Sequence, residues 1–328
     1  MKYLSLCSGI EAASVAWGTL GWEPVAFSEI EKFPCKLLEY RFPQVPNIGD
    51  MTKIDGRKYR GTVDLIVGGT PCQGFSIAGN RGGLSDERSG LALHFVRILS
   101  ECRPRWIIWE NVPGAFSTGG RRDFGSFLRA LDECGYHLAW RVLDARFFGV
   151  PQRRRRVFVV GHSGDWRYPA AVLFEREGLR RASEKGRKSG KSDARLDGSV
   201  LASGSETAKS LNAHGQRLDF ETEDFVIPPT LLRMRQGKPG GGKGPLLSPG
   251  KSLTLATGND QILFTNSQVI RRLTPVEYER LQGFPDGWTD IPGASDTARY
   301  KAIGNSMAIP VMRWLGDRID KVNKANFS

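Results

Sequence analysis

Histidine and cysteine, the side chains that most often hold zinc, are scarce in this chain of 328 residues. The four histidines show no metal-ligand spacing, and none of the five cysteines belongs to a C-x-x-C pair. The cysteines are odd in number and widely separated, at Cys7, Cys35, Cys72, Cys102 and Cys134. This pattern is unlike a disulfide framework and is typical of a reduced, intracellular protein. We therefore expect neither disulfides nor a metal site.

Long apolar runs are also missing from the sequence. No segment approaches the ~18 consecutive apolar residues that a membrane-spanning helix needs. Near the amino terminus, Ser5, Ser8 and Glu11 interrupt a short apolar run that carries one lysine, which is too short and too polar for a signal peptide. The sequence therefore predicts a protein that stays out of the membrane, in the cytoplasm.

Basic residues, in contrast, are in excess. The chain has 47 Lys and Arg against 35 Asp and Glu, for a formal net charge of +12. The excess is uneven, because the segment 176–195 alone has eight basic residues against three acidic ones. Clustered cations neutralise phosphates and release bound counterions, so this charge favours a nucleic acid as partner.

The first half of the chain alternates short apolar runs with amphipathic segments. Strands are predicted for KYLSL, EPVAFS, VDLIVGG, RWIIWE and RVFVVG, and helices for residues 11–20, 92–102 and 124–135. This alternation favours an α/β fold with a parallel sheet covered on both faces. Ligands bind beyond the carboxyl ends of the strands in such sheets. The segments at those ends are CSGIE, SEIE, GGTPCQGFS and ENVPG.

Residues 176–250 differ in composition, being rich in Gly, Ser, Lys and Arg. They are either a flexible basic linker or a small domain of strands and loops that lies on nucleic acid. We favour the second interpretation because β-like pieces such as DFVIPPTLL, KSLTLATG and QILFTN occur within or beside this stretch. From Arg271 regular structure returns, with a helix capped by Thr274 and Glu277. We predict a large domain of residues 1–172 plus 298–328 and a small domain of residues 173–297.

Cys72 is the leading candidate for chemistry. It lies in GGTPCQGFS, directly after the predicted strand VDLIV. A cysteine in a glycine-rich turn at a strand end faces a cleft, where backbone N–H groups and cations can lower its pKa and make it a nucleophile. The alternative is a buried, inert cysteine, which we favour for Cys35, Cys102 and Cys134. A core cysteine seldom follows Gly-Gly-Thr-Pro.

Two more strand ends carry charged side chains. Glu110 ends the apolar run RWIIW, where a raised pKa would let it donate a proton near neutrality. The residues alone support a capping or solvated glutamate equally well. Four arginines, Arg153 to Arg156, precede the strand RVFVVG. In an extended chain Gln152, Arg154 and Arg156 share one face, from which they can reach a phosphate or a base carbonyl, whereas a merely solvated basic run is the usual alternative.

These segments occur in the order of the motifs of the DNA (cytosine-5)-methyltransferase family, which the chain resembles. The matching segments are PCQ (71–73), ENV (110–112), QRRRR (152–156), LTPVEYERLQGFP (273–285), YKAIGNS (300–306) and, more loosely, LCSGIEA (6–12), SEIE (28–31) and GDM (49–51). They cover nearly all of the chain outside 164–268. The compact length resembles prophage and orphan bacterial members of the family.

The resemblance implies an S-adenosylmethionine-dependent, Rossmann-like sheet, with a smaller target-recognition domain made mostly of strands and loops. The implied reaction is methylation of carbon 5 of cytosine in double-stranded DNA at a specific sequence, with the target base flipped out of the helix. We expect a monomer in the bacterial cytoplasm, of bacterial, phage or prophage origin. Whether a cognate restriction endonuclease accompanies it stays open.

The resemblance also implies roles for individual residues. Cys72 would attack carbon 6 of the base, and Glu110 would hold the base edge and protonate ring nitrogen 3. Arg154 and Arg156 match arginines near the catalytic cysteine, and Arg156 is expected on the base carbonyl oxygen. The residues assigned to S-adenosylmethionine are Leu6, Ser8, Gly9, Ile10, Glu29 (ribose hydroxyls), Asp50 (adenine amino group), Pro71, Leu91 (adenine pocket), Asn305 and Ser306. Ile30 departs from the family pattern, in which an aromatic residue often follows the ribose acid.

DNA contacts are expected from two parts of the chain. On the catalytic side these are Gln73, Ser76 and Gln152. In the small domain, Arg233, Arg235, Gln236 and Lys238 are expected at base edges, because the surrounding glycines allow the backbone to approach DNA closely.

Three other functions fit part of the sequence. An RNA-directed enzyme of the same fold would not need the large, glycine-interrupted region. A catalytically dead binding module would not need Cys72, Glu110 and Arg156 together. A thymidylate-synthase-like enzyme would also place a cysteine on a pyrimidine ring, but it gives no reason for the terminal GNS or for the basic insert.

Overall fold

The computed structural model describes residues 1–70, 90–116, 122–174, 230–236, 243–249, 261–264 and 270–325. Within these ranges six strands form one sheet, in the order β2-β1-β3-β4-β6-β5. These strands are β1 Lys2–Leu6, β2 Glu23–Ser28, β3 Leu65–Gly68, β4 Trp106–Asn111, β5 His137–Asp144 and β6 Arg155–His162. Four further strands form a second sheet, in the order β10-β9-β7-β8. They are β7 Thr230–Gln236, β8 Lys243–Pro249, β9 Gln261–Phe264 and β10 Ile270–Arg272.

The helices of the described residues pack mainly around the larger sheet. They are α1 Ala12–Trp17, α2 Lys32–Arg41, α3 Leu91–Cys102, α4 Arg122–Glu133, α5 Arg167–Leu173, α6 Pro275–Gln282, α7 Asp296–Asn305 and α8 Ile309–Lys324. The predicted helix 11–20 continues past α1 as a 3-10 turn to Leu20 and stops at Gly21, whose φ of 66° favours glycine. The capping box at the start of α6 is present as predicted, with Thr274 and Glu277 bonded to each other's backbone N–H.

Both faces of the larger sheet are buried, as predicted. Side chains of each strand alternate between two apolar clusters, so that Tyr3 and Trp106 belong to one cluster while Leu4 and Ile107 belong to the other. The first cluster includes residues of α1, α5 and α8, and the second includes residues of α3 and α4. The strands therefore form the middle layer of a three-layer α/β fold.

The predicted parallel sheet is present in four of the six strands. Strands β2, β1, β3 and β4 are parallel, but β6 runs antiparallel to both β4 and β5. Strand β5 was not predicted, because HLAWRVLD lies at the sheet edge and carries Arg141 in its middle, so its apolar signal is weak. The reversal brings the start of β6 to the same edge as the end of β4, where Asn111 pairs with Val157.

The segment after β10 packs against the larger sheet. Leu273, Tyr278, Phe284 and Ile291 are buried in the same apolar cluster as Met312 of α8. These four residues fall inside the small domain as predicted from the sequence (173–297). Their burial bears on where that domain ends.

No helix in the described part of the chain is long and apolar enough to cross a membrane. Within the same residues, no group of three or more His, Cys, Asp or Glu side chains is arranged to hold a metal ion.

Candidate active site

A cavity that is open to solvent lies at the carboxyl ends of β1, β3 and β4. Its lining includes five residues that the sequence predicted for the site: Ser8, Gly9, Glu110, Asn305 and Ser306. The first and last of these are nearly 300 residues apart in the chain. The fold brings them together because parallel strands place their carboxyl ends at one edge of the sheet.

The loop after β1 forms one wall of this cavity. Cys7, Gly9 and Glu11 all have positive φ angles, of 50°, 58° and 60°. The amide of Gly9 donates to the carboxylate of Glu29 over 2.7 Å, which fixes the predicted ribose acid beside the loop. The predicted cofactor residues Leu6 and Ile10 are fully buried and are not among the residues that line the cavity.

Asp50 and Leu91 lie to one side of this cavity and are not among its lining residues. The carboxylate of Asp50 accepts a hydrogen bond from the amide of Thr52 over 2.9 Å, and this bond holds the Asp50 pKa below its usual value. The hydroxyl of Ser28, at the end of β2, donates to the carbonyl of Gly49 over 2.6 Å. Because Gly49 precedes Asp50 and Ser28 precedes Glu29, this bond ties the Asp50 segment to the end of β2 beside Glu29.

These residues fit S-adenosylmethionine, the cofactor that the resemblance implies. Carboxylates such as Glu29 and Asp50 accept hydrogen bonds from ribose hydroxyls and from an adenine amino group. Gly69 keeps the floor of the cavity open, because a Cβ atom there would lie 3.1 Å from Oε2 of Glu110 and 3.2 Å from the terminal carbon of Met307.

Glu110 is the buried carboxyl group of the site. It stands near the end of β4, and Nε of Arg156 lies 3.1 Å from its Oε1. Burial raises the pKa of Glu110, whereas the nearby guanidinium groups of Arg156 and Arg154 lower it, and the net direction is upward. A carboxyl group with a raised pKa keeps its proton closer to neutrality and can act as an acid.

The arginine run has the alternation that the sequence predicted. Gln152 and Arg154 are buried, whereas Arg153 and Arg155 are exposed. The guanidinium of Arg154 donates to the carbonyl of Gly304 over 3.2 Å. Burial and, to a smaller extent, the neighbouring charge of Arg156 lower the pKa of Arg154 to about 9. Arg154 is thus a buried cation that links the start of β6 to α7.

Gln152 does not fit its predicted contact with DNA, because its side chain is 0% exposed. Its amide nitrogen donates to the carbonyl of Leu281 over 2.7 Å and to the side-chain oxygen of Gln282 over 3.1 Å. Gln282 in turn donates to the carbonyls of Ile303 and Ser306, over 2.8 Å and 3.1 Å. The strand pattern predicted the face on which Gln152 lies, but only the packing of α6 decides that this face is covered.

Several predicted residues lie outside the part of the chain whose side chains the structure describes. These are Pro71, Cys72, Gln73, Ser76 and Lys238, together with Arg233, Arg235 and Gln236, for which only the backbone of β7 is described. The residue before this catalytic segment is Thr70. Its hydroxyl accepts a hydrogen bond from the indole of Trp109 over 3.0 Å, and its carbonyl accepts one from the side chain of Asn111 over 2.9 Å.

Two residues that sequence reasoning passed over also belong to the site. Glu11 lines the cavity, and the indole nitrogen of Trp288 donates to the carbonyl of Ile10 over 2.9 Å. Glutamate is unusual at a sharp turn, so its presence in CSGIE could have indicated Glu11. Nothing in the sequence pairs Trp288 with a residue 278 positions earlier.

A comparison with protein families identifies the chain. Residues 1–321 match the model of the C-5 cytosine-specific DNA methylases. The chain belongs to this family. The match confirms the predicted class of enzyme, DNA (cytosine-5-)-methyltransferase.

Two curated relatives show how far the similarity to this methylase extends. The type II methyltransferase M1.ScrFI of Lactococcus lactis is 30% identical over 98% of this chain and 78% of its own length. A protein of Escherichia phage P1 named DNA N-6-adenine-methyltransferase is 36% identical over 97% of this chain. The methylase spans only 61% of that phage protein, whose name refers to adenine rather than cytosine.

Solved structures support the fold of the methylase. The Dnmt2 methyltransferase of Schizosaccharomyces pombe superposes with a TM-score of 0.62, over all of both chains, at 18% sequence identity. At this identity the likeness concerns the fold alone. It agrees with the predicted methyltransferase architecture.

Proposed function

We propose that this methylase transfers a methyl group from S-adenosylmethionine to carbon 5 of cytosine in double-stranded DNA, at a specific sequence. The observation that supports this reaction best is Glu110, a buried carboxyl group with a raised pKa. It stands beside Arg156 at the rim of a cavity suited to the cofactor. Cytosine chemistry needs such an acid, because a neutral pyrimidine ring reacts poorly at carbon 5.

In the proposed reaction Cys72 attacks carbon 6 of a cytosine that has left the base stack, at a cost of a few kcal/mol. A bond forms between the sulfur and carbon 6, and the electrons of the ring double bond move towards carbon 5. Glu110 donates its proton to ring nitrogen 3, which neutralises the charge that develops on the ring. When bound, the cofactor supplies an electrophilic methyl group to carbon 5. The methyl transfer leaves S-adenosylhomocysteine as the second product. Loss of the carbon 5 proton to water and return of the nitrogen 3 proton to Glu110 then expel Cys72 as a thiolate and restore the double bond between carbons 5 and 6.

The arginines complete the site in this proposal. A guanidinium has five N–H donors, so Arg156 can pair with Glu110 and still reach the base carbonyl oxygen. Arg154, buried and bonded to Gly304, positions the start of β6. We assign Gln152 a positioning role too, because its amide connects the arginine run to Gln282, which holds the carbonyl of Ser306.

We further propose that the small domain reads the DNA sequence, with Arg233, Arg235, Gln236 and Lys238 at base edges. The described part of this region is a four-stranded antiparallel sheet. Burial of the segment from Leu273 to Ile291 in the main apolar cluster supports placing the end of this domain near residue 272 rather than 297. We propose a monomer that acts on DNA in the cytoplasm of a bacterial host, either as an orphan or beside a restriction endonuclease.

The name of the phage P1 relative makes adenine methylation the second candidate. The exocyclic nitrogen of adenine can take a methyl group directly, without a covalent bond from an enzyme nucleophile. Cys72 is therefore essential for cytosine chemistry and dispensable for adenine chemistry.

Expression in a host without DNA methylation tests both candidates. Bisulfite sequencing would locate 5-methylcytosine, and mass spectrometry of nucleosides from DNA and RNA would detect N6-methyladenine and any methylated RNA. We expect 5-methylcytosine in DNA at one sequence, and none with the Cys72→Ser variant. N6-methyladenine made by both proteins would support the second candidate. Methylation of RNA alone would support the RNA-directed alternative.

A further inference from the structure

Glu11 is a buried carboxylate that the reaction above does not use. It follows the first loop and caps α1, it is one of the residues that line the cavity, and it is only 1% exposed. Among the described residues, no Lys, Arg or His forms an ion pair with it. Burying a carboxylate without a cation costs much free energy, and the described residues supply no cation for it.

The hydrogen bonds of Glu11 all come from neutral groups. Ser5 donates its hydroxyl to Oε2 over 2.9 Å, and Ser14 donates its amide and its hydroxyl to Oε1 over 3.1 Å and 3.0 Å. The phenol of Tyr3 is a further hydrogen-bond partner of the carboxyl group, and Ser5, the donor to Oε2, also lines the cavity.

The backbone at Glu11 is unfavourable for any residue with a Cβ atom. Its φ of 60° and ψ of 62° lie in the left-handed region, where glycine is the usual residue. Burial also raises the pKa of Glu11 to about 7, so the carboxyl group is near the point of ionisation at neutral pH. A strained backbone and a buried acid at one position both weaken the folded state, which favours a role in binding.

We propose that Glu11 binds the primary ammonium group at the amino-acid end of the cofactor. This rests on the proposed function, in which S-adenosylmethionine occupies the cavity. An ammonium group offers three N–H donors and a positive charge, which complement a buried carboxyl group that has no ion-pair partner among the described residues. The sulfonium group is a poorer match, because it has no N–H and its methyl group must face the base at Glu110.

Two ligands that differ at the amino-acid end test this assignment. S-adenosylhomocysteine carries the ammonium and carboxylate groups, whereas 5′-methylthioadenosine has neither. Titration calorimetry would give the affinity of each ligand for wild type, for Glu11→Gln and for Glu29→Gln. We expect Glu11→Gln to weaken S-adenosylhomocysteine on the order of 10- to 100-fold, the effect of one hydrogen bond to a charged group, and to leave methylthioadenosine unchanged. The control Glu29→Gln should weaken both ligands alike, because both carry the ribose.

Proton release gives an independent readout. At pH 6 most of Glu11 is protonated in the free protein, so an arriving ammonium group should expel that proton. The other titratable groups near it are Tyr3, which is hydrogen-bonded to Ser14 and to Glu11 itself, with Cys7 and Glu110 on the cavity wall. Comparison of wild type with Glu11→Gln isolates the proton of Glu11. Calorimetry in two buffers of different ionisation enthalpy should show release by wild type and less release by the variant.

The outcomes separate this proposal from the function on which it rests. Equal loss of both ligands in Glu11→Gln would mean that Glu11 only supports the fold, and unchanged affinity for both would mean that it does not touch the ligand. Either result overturns the proposal. Failure of wild type to bind S-adenosylhomocysteine at all would instead overturn the proposed function.

Discussion

The indole nitrogen of Trp288 donates a hydrogen bond to the carbonyl oxygen of Ile10 over 2.9 Å. Arg41 of α2 holds the tryptophan from the other side, with its guanidinium 5.0 Å from the ring centroid and bonded to the Trp288 carbonyl. A segment near the carboxyl end of the chain thereby braces the first cofactor loop. The loop needs such support because it contains three residues in the left-handed region.

Replacement of Trp288 by Phe should weaken cofactor binding roughly fivefold, the effect of losing one neutral hydrogen bond of about 1 kcal/mol. The phenylalanine ring keeps most of the apolar contact with Phe284, so the fold should persist. Titration calorimetry with S-adenosylhomocysteine measures the change. Trp106→Phe is the matched control, because it removes an indole bond to Asn323 on α8, away from the cavity. Equal losses in both variants would argue against a specific brace.

Glu110→Gln should slow methyl transfer by ~10²–10⁴-fold at saturating DNA and cofactor, because the amide cannot donate the required proton. Glu110 must be protonated to act, and its pKa lies above the usual carboxyl range. The wild-type rate should therefore fall as the pH rises through that pKa, and the variant should lack this fall. Glu23→Gln, which changes an exposed carboxylate at the opposite edge of the sheet, should match wild type. If Glu110→Gln lowered DNA affinity alone, Glu110 would be a binding residue.

The stability of the enzyme should depend on pH through Glu11. Its pKa is about 7 in the folded chain against 4.5 for the ordinary group, so protonation favours the folded state. This contribution is fully present below about pH 4.5 and is lost as the pH rises through about 7. It amounts to about 3 kcal/mol in the free energy of unfolding. Urea unfolding of wild type and Glu11→Gln across this range should show a flatter profile for the variant. Parallel profiles would mean that Glu11 titrates normally.

The basic segment 176–195 should contribute phosphate contacts. Substitution of Lys185, Arg187, Lys188 and Lys191 by Ala should weaken binding to all DNA sequences alike. It should also lower the log–log salt slope by at most ~0.9 for each lost contact. Lys32→Ala with Lys36→Ala, on α2, is a control that should leave the slope unchanged. An unchanged slope in the fourfold variant would favour the solvated linker instead.

Exchange of residues 225–265 for those of a relative should change the methylated sequence without loss of chemistry. The reason is that the catalytic site handles one cytosine, whereas flanking bases must be read by side chains at groove edges. Bisulfite sequencing of host DNA identifies the new site. A chimera that remained active on the original sequence would contradict the assignment of sequence reading to this region.

Local pattern determined much of the catalytic half. The strands KYLSL and EPVAFS coincide with β1 and β2, and the end of α4 lies near Gly135, as the amphipathic pattern predicted. These elements depend on periodicity, turn residues and caps, all of which act over a few positions. The same local logic placed Glu110 at a strand end and put Gln152 and Arg154 on one face of an extended segment.

Only the tertiary structure decided which groups these side chains contact. The antiparallel direction of β6, the burial of Gln152 under α6 and the bond from Trp288 to Ile10 all depend on contacts across long separations in sequence. The same is true of Glu11. In the sequence it is one polar residue in a loop, whereas in the fold it is buried and has no ion-pair partner among the described residues. Sequence patterns report propensity and the face on which a side chain lies. The cost of burying a charge depends on every group that surrounds it, and those groups come from the whole chain.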